Sequence, residues 1–258
     1  MKTLGLALGA GAARGTCHIG FLRCLEENGI KPDFITGCSM GAVVGAIYAA
    51  GVPLSEIQQE IMGLRLWDFF KPTFKRGGLF TMKKIRKMLR ERVGDLQFKD
   101  LKIPFQCVAT DLVSRKLVCF SKGSVVDAVI ASANVPFLFA PIEKDGMKLI
   151  DGYILERVPA RLVKDMGADV VVAVDALGTR PFGAKKVGTL QMALEVMDLL
   201  ECERFQRQKK ENNDGIDFWL EPDLGDMGQT EVKKIRFACQ QGYCLAQENL
   251  KKIKKALK

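Results

Sequence analysis

Ser39 lies in Gly37-Cys38-Ser39-Met40-Gly41, a G-x-S-x-G segment placed between an apolar strand-like run and a small-residue helix. Such a strand-turn-helix junction is sharp and strained. It holds the serine Oγ out at the carboxyl end of the strand, and the helix N-terminus behind it favours developing negative charge. Gly37 and Gly41 let the two backbones pass closely. The bland reading is that Ser39 only caps the helix.

A serine nucleophile needs a base. The one histidine, His18, precedes Ser39 and sits in the apolar run His18-Ile19-Gly20-Phe21-Leu22, out of the usual hydrolase order of serine, acid, histidine. Three possibilities stay open: His18 serves out of order, a carboxylate activates the serine directly, or there is no catalysis. Asp151 is the candidate carboxylate. It ends the strand-like Lys148-Leu149-Ile150 and precedes Gly152, so it would emerge at the sheet edge that carries Ser39. By itself an Asp-Gly pair is usually a turn.

The third chemical element is the turn Gly9-Ala10-Gly11-Ala12-Ala13-Arg14-Gly15. A dinucleotide fingerprint would need a third glycine where Arg14 stands and an acidic residue ending the second strand, whereas Asp33 precedes that strand. The other reading is an oxyanion hole, in which small residues at a helix N-terminus present backbone N–H groups. Each such donor is worth roughly 3–4 kcal/mol in a transition state.

These residues need a scaffold. Thr3–Leu8 reads as a buried strand, 16–28 as a helix stopped by Gly29 and Pro32, Phe34–Thr36 as a second strand, and a second helix runs to about Ala50. Residues 54–100 read as helical, strongly basic and aromatic. Strands return at Phe105–Thr110, Lys116–Phe120 and Lys148–Ile150, with a helix near Val125–Ala133. Asp169–Asp175 is a uniformly apolar strand of the buried parallel kind. Helices near Thr189–Gln208 and Glu231–Leu257 flank a strand at Ile216–Leu220.

With 258 residues, 48% of them hydrophobic, the chain reads as one large domain rather than two small ones. Two decoys are set aside. Met1–Ala12 mimics a signal peptide, but its apparent cleavage site falls inside the glycine-rich turn. Phe34–Ser55 is uncharged for a membrane-spanning length, but its glycines and Pro53 split it into strand, turn and helix. Eight scattered cysteines without a C-x-x-C pair, beside a single histidine, support neither a zinc site nor a disulfide framework and point to a reducing compartment.

The net charge of +9 favours anionic partners. Between Arg65 and Arg92 ten cations face only Asp68 and Glu91, interleaved with Trp67, Phe69, Phe70, Phe74 and Phe80. A second basic stretch runs from Lys233 to Lys258. Both suit an anionic lipid surface. Alternatively, Val232, Ile235, Leu245, Ile253 and Leu257 pack the last helix inward and leave its lysines in solvent. No recognised nucleic-acid module accompanies the charge.

Taken together, the oxyanion-type turn, the G-x-S-x-G and the Asp-Gly resemble the patatin-like phospholipase family, particularly its small single-domain bacterial members. That family carries G-G-G-x-R-G, G-x-S-x-G and D-G-G or D-G-A in this order. Similarity continues through Ala109-Thr110-Asp111-Leu112, Ala131-Ser132-Ala133, Val135-Pro136, Val158-Pro159 and Met166-Gly167-Ala168-Asp169, covering about residues 3 to 180. Ala10 and Ala12 replace glycines, and Tyr153 stands where the family has Gly or Ala.

The resemblance implies a three-layer α/β/α fold with a mostly parallel central sheet. The single domain would span 1–258, with a lid-like segment at about 54–100 and a basic helix at about 231–257. It implies a serine lipid acyl hydrolase working through a Ser-Asp dyad, with Ser39 as nucleophile and Asp151 as general base. Gly11, Ala12 and Ala13 would bind the oxyanion, supported by Arg14, Gly37, Gly41 and Gly152, without metal or cofactor. The expected partners are a lipid or other ester substrate and an anionic membrane surface, in a cytoplasmic protein that visits the inner membrane face. Nucleic acid is not expected. The rival is a catalytically silent lipid-binding protein that keeps the fold, and a nucleotide-dependent reductase ranks last.

Overall fold

The computed structural model describes residues 2–63, 71–72, 78–178, 188–211 and 215–258. In chain order, β1 (Leu4–Leu8) is followed by α1 (Cys17–Glu27), β2 (Phe34–Gly37), α2 (Met40–Ala49) and α3 (Leu54–Gly63). Next come β3 (Lys71–Pro72), β4 (Phe80–Thr81), α4 (Lys83–Val93), β5 (Phe105–Asp111), β6 (Lys116–Phe120) and α5 (Val125–Ser132). The chain continues with β7 (Ile142–Lys144), β8 (Met147–Asp151), α6 (Ala160–Asp165) and β9 (Val170–Val174). It closes with α7 (Thr189–Glu211), β10 (Phe218–Leu220) and α8 (Ile235–Ala256).

The main sheet has eight strands. β10, β9, β1, β2 and β5 are parallel neighbours in that order, and β6, β7 and β8 add an antiparallel end. The expected parallel core is therefore present, with an antiparallel flank. β1 is buried along its whole length, as its unbroken apolar sequence requires for a strand covered on both faces. Side chains alternate between the layers. Leu4, Leu6 and Leu8 face a core shared with α1, α2, α3, α4, α5 and α8, while Ala7 faces α6 and Phe205 of α7.

One detail of register decides the site. Cys107 of β5 is opposite both Gly37 of β2 and Phe120 of β6, and Ala109 is opposite both Asp151 of β8 and Val118 of β6. A strand has only two edges. β6 occupies one, so β2 and β8 share the other, running toward each other end to end. Their carboxyl ends meet beside Val108.

The stretch 34–55 is a strand, a turn and a helix, and no described helix is long and apolar enough to cross a membrane. The 54–100 region is not wholly helical: β3 and β4 form a two-residue antiparallel ladder. Trp67, Phe69, Phe70 and Phe74 lie outside the described residues. α8 packs inward, with Ile235, Ala238, Cys239, Gly242, Ala246 and Ile253 buried. That face is richer in small residues than the aliphatic pattern indicated, because α8 meets α1 at backbone distance. A Cβ on Gly20 would fall 1.7 Å from the Cys239 carbonyl oxygen, and one on Gly242 would fall 1.9 Å from that of Cys17.

Candidate active site

Where β2 ends, the Cys38 N–H donates to the Leu8 carbonyl (3.0 Å) and the chain turns into α2 through Ser39, whose φ of 53° and ψ of −120° are strained for a non-glycine residue. Gly41 permits the turn, since a Cβ there would lie 2.1 Å from the Leu8 carbonyl oxygen. Ser39 occupies the N-cap position, but its side chain makes no capping bond. Its Oγ instead donates to Asp151 Oδ2 at 2.7 Å. The Ser39 N–H donates to Ser132 Oγ at 3.0 Å, so the strained residue is held at the main chain as well.

Asp151 arrives from the opposite direction on β8 and is wholly buried. Its N–H donates to the Asn134 carbonyl (2.9 Å), and Asn134 in turn donates its amide to the carbonyls of Ala140 and Leu149. While Oδ2 takes the serine proton donor, Oδ1 accepts the Tyr153 N–H at 3.0 Å and has the Cys38 thiol 3.8 Å away. Gly152 has no room for a side chain: a Cβ would sit 2.4 Å from the Val108 carbonyl oxygen. Burial drives the carboxyl up to about 7, against the opposing hydrogen bonds from Tyr153, Ser39 and Cys38. A carboxylate titrating there is matched to general-base work near neutrality.

The turn after β1 is pinned from several sides. Gly9 N–H donates to the Val174 carbonyl, Ala10 N–H to that of Arg157 and Ala13 N–H to that of Gln229, each at 2.9 Å. No described residue accepts from the N–H groups of Gly11 and Ala12. The three oxyanion candidates thus divide: Ala13 already spends its N–H, whereas Gly11 and Ala12 keep theirs. Ala12 has φ 45°, in the left-handed region where glycine is at ease. Arg14 is buried, and its guanidinium donates to the carbonyls of Ala176 (2.9 Å), Met227 (2.7 Å) and Leu177 (3.1 Å), bracing the turn rather than facing a ligand.

His18 is buried beneath this turn, and its Nε2 donates to the Gly9 carbonyl at 2.8 Å. Burial lowers its pKa to about 4, which keeps the ring neutral. Among the described residues no group of three or more His, Cys, Asp or Glu side chains could hold a metal ion.

Ser39, Ala12 and Ala13 share the wall of a cavity of about 140 Å³. The rest of the lining is almost wholly apolar, with Val43, Ile61, Ile85, Met88, Leu138 and Phe139 prominent. α4 supplies Ile85 and Met88 from its buried side while Lys83, Lys84, Lys87 and Arg90 lie exposed on the other.

Sequence reasoning named Ser39, Asp151 and the turn, and the structure brings Ser39 and Asp151 into contact and sets Ala12 and Ala13 beside the serine. It missed Ser132, whose hydroxyl holds the Ser39 N–H, and Asn134 and Gln229, whose main-chain carbonyls hold Asp151 and Ala13. Ser132 lies in a segment with family similarity, but its residue type alone signals no chemistry.

The family model described as patatin-like phospholipase matches residues 6–164. An uncharacterized NTE family protein of Mycobacterium tuberculosis is 39% identical over 180 residues, covering 67% of this chain and 49% of that protein. Human patatin-like phospholipase domain-containing protein 6 is 33% identical over 182 residues, 67% of this chain and 13% of that protein. The Pyricularia oryzae lysophospholipase NTE1 is 31% identical over 180 residues, covering 12% of its length. The chain therefore spans about half the length of the mycobacterial relatives and far less of the eukaryotic ones. Among solved structures, VipD of Legionella pneumophila superposes with a TM-score of 0.64 over 97% of this chain and 67% of its own, at 14% identity. The type III effector ExoU gives 0.53 over 100% of this chain and 54% of its own, at 15% identity. These two share the fold.

Proposed function

The chain belongs to the patatin-like phospholipase family, and from that premise we propose that it is a serine lipid acyl hydrolase cleaving carboxylic esters through a Ser39-Asp151 dyad. The observation that carries this reading is the 2.7 Å hydrogen bond from Ser39 Oγ to a fully buried carboxylate. Ser39 Oγ attacks the ester carbonyl carbon as its proton passes to Asp151 Oδ2. The resulting oxyanion is held by the N–H groups of Gly11 and Ala12. Collapse breaks the ester C–O bond, and the leaving alcohol takes the proton from Asp151. Water then attacks the acyl-enzyme and gives a proton to Asp151; collapse breaks the Ser39 Oγ–carbon bond, Asp151 returns the proton to Oγ, and the carboxylic acid leaves. Gly37, Gly41 and Gly152 allow the close backbone approaches, and Arg14 fixes the oxyanion turn. No step calls for a metal or cofactor.

The apolar cavity suits an acyl chain, which makes a lipid ester the favoured substrate class. The lysines of α4 and α8 suit peripheral contact with an anionic membrane, and Leu79 and Phe137, half exposed beside the cavity-lining Leu138 and Phe139, suit its apolar layer. Eight cysteines without a disulfide fit a cytoplasmic setting. The rival is a silent lipid-binding protein, and the strained Ala12 is the observation in its favour.

Labelling with a fluorophosphonate probe separates the two. Wild-type protein is expected to label, and Ser39→Ala and Asp151→Asn to stay unlabelled. Folded wild-type protein that resists the probe while binding lipid would support the silent reading.

A further inference from the structure

Asp198 lies on α7, more than forty residues beyond the last catalytic candidate, yet it reaches both halves of the site. One leg runs through Gln229. The Gln229 side-chain amide donates to Asp198 Oδ2, and the Gln229 main-chain carbonyl accepts the Ala13 N–H at 2.9 Å. The second leg runs through Tyr153, whose N–H holds Asp151 Oδ1 and whose phenol neighbours the Asp198 carboxylate. Met197, the neighbour of Asp198, packs on the cluster that contains Tyr153, Ala10 and Cys38.

We infer that Asp198 is a positioning residue that sets the catalytic base and the oxyanion turn relative to each other from the far side of Tyr153 and Gln229. The inference rests on the hydrolase reading above. Tyr153 thereby acquires a role that a Gly or Ala at its position could not fill, since neither has a side chain able to reach α7. Asp198 faces Glu195 and Glu201 from its own helix, Arg157 from the segment after β8, and Tyr153. Burial and the two glutamates raise its pKa to about 7 against the Tyr153 and Arg157 contributions, so near neutrality the acceptor for the Gln229 amide is in balance with a protonated form.

The test compares wild type, Asp198→Ala and Asp198→Asn on a short soluble p-nitrophenyl ester, with fluorophosphonate labelling rates measured alongside. Misplacement of a reacting group by about 1 Å costs on the order of 10²-fold. Asp198→Ala is therefore expected to lower kcat and the labelling rate together by about 10- to 100-fold with KM unchanged. Asp198→Asn keeps the shape and one acceptor, and is expected to recover most of the rate. Asp198→Asn also guards against a fold-deficient alanine variant: if it loses as much rate as the alanine variant, the inference fails. Unchanged kcat in folded Asp198→Ala, or a loss confined to KM, would overturn it as well. Wild-type protein that neither labels nor hydrolyses would bring down the hydrolase reading and this inference together, an outcome distinct from those in which wild type is active.

Discussion

The Ser132 hydroxyl accepts the main-chain N–H of Ser39 at 3.0 Å, so α5 steadies the backbone of a serine that initiates α2. The bond lies inside the protein, where a lost partner leaves a donor without water. Ser132→Ala is expected to lower stability by about 1–3 kcal/mol. It should also slow fluorophosphonate labelling, because the left-handed Ser39 loses its tether. Urea denaturation and labelling rate together check this, and unchanged values in both would show the bond to be dispensable.

Asp151 trades stability for chemistry. Its folded pKa of about 7 is above the ordinary 3.8, so the native state holds the proton more tightly than the unfolded chain does. Stability is then fully present below the unfolded value and is lost as pH rises through about 7, by up to roughly 4 kcal/mol. Under the proposed mechanism activity is expected to run the other way, rising as Asp151 ionises. Asp151→Asn should be inactive, more stable than wild type at pH 8 and little different at pH 4. Denaturation midpoints at the two pH values decide it.

Ala12 pays for its left-handed backbone. An L-residue there costs about 1–2 kcal/mol, and glycine removes that cost while adding about 0.4–1 kcal/mol of unfolded-state entropy. Ala12→Gly is expected to match or slightly exceed wild-type stability and to label at least as fast. The branched Ala12→Val should label poorly. A slower Ala12→Gly protein would mean that the methyl group contributes to catalysis.

His18 is expected to be replaceable by a residue that can still donate to the Gly9 carbonyl. His18→Gln should retain kcat far better than the loss of about 10²–10⁴-fold that follows removal of a general base. Its pH-rate profile should keep the same acid limb, since the neutral ring of His18 does not titrate near 7. Disappearance of that limb would transfer the base role to His18.

Much of this site was legible before any coordinates. The glycines around Ser39 mark a turn that only small residues allow, and the apolar run ahead of Asp151 marks a strand end. The meeting of the two was not legible. It depends on β2 and β8 sharing an edge of β5, and pairing with β5 from about 70 and 40 residues away leaves no local pattern. The short β7 and α6 also escaped, because 142–144 and 160–165 are too brief to show a period. The inward face of α8 was read correctly but incompletely: Val232, Ile235, Leu245, Ile253 and Leu257 do pack on the core, and close helix packing adds Gly, Ala and Cys, which an aliphatic count passes over.

The contact of α8 with α1 bears on where this protein could be cut. The family match stops at residue 164, but β9, the neighbour of β1, begins at Val170, and α1, which α8 grips at Gly20 and Gly242, starts two residues after the glycine-rich turn ends at Gly15. A recombinant fragment ending at the match boundary would expose one edge of β1 and strip the cover from the helix that carries the turn. Such a fragment is expected to aggregate rather than fold. Shortening trials at the carboxyl end should find little tolerance before the last turns of α8.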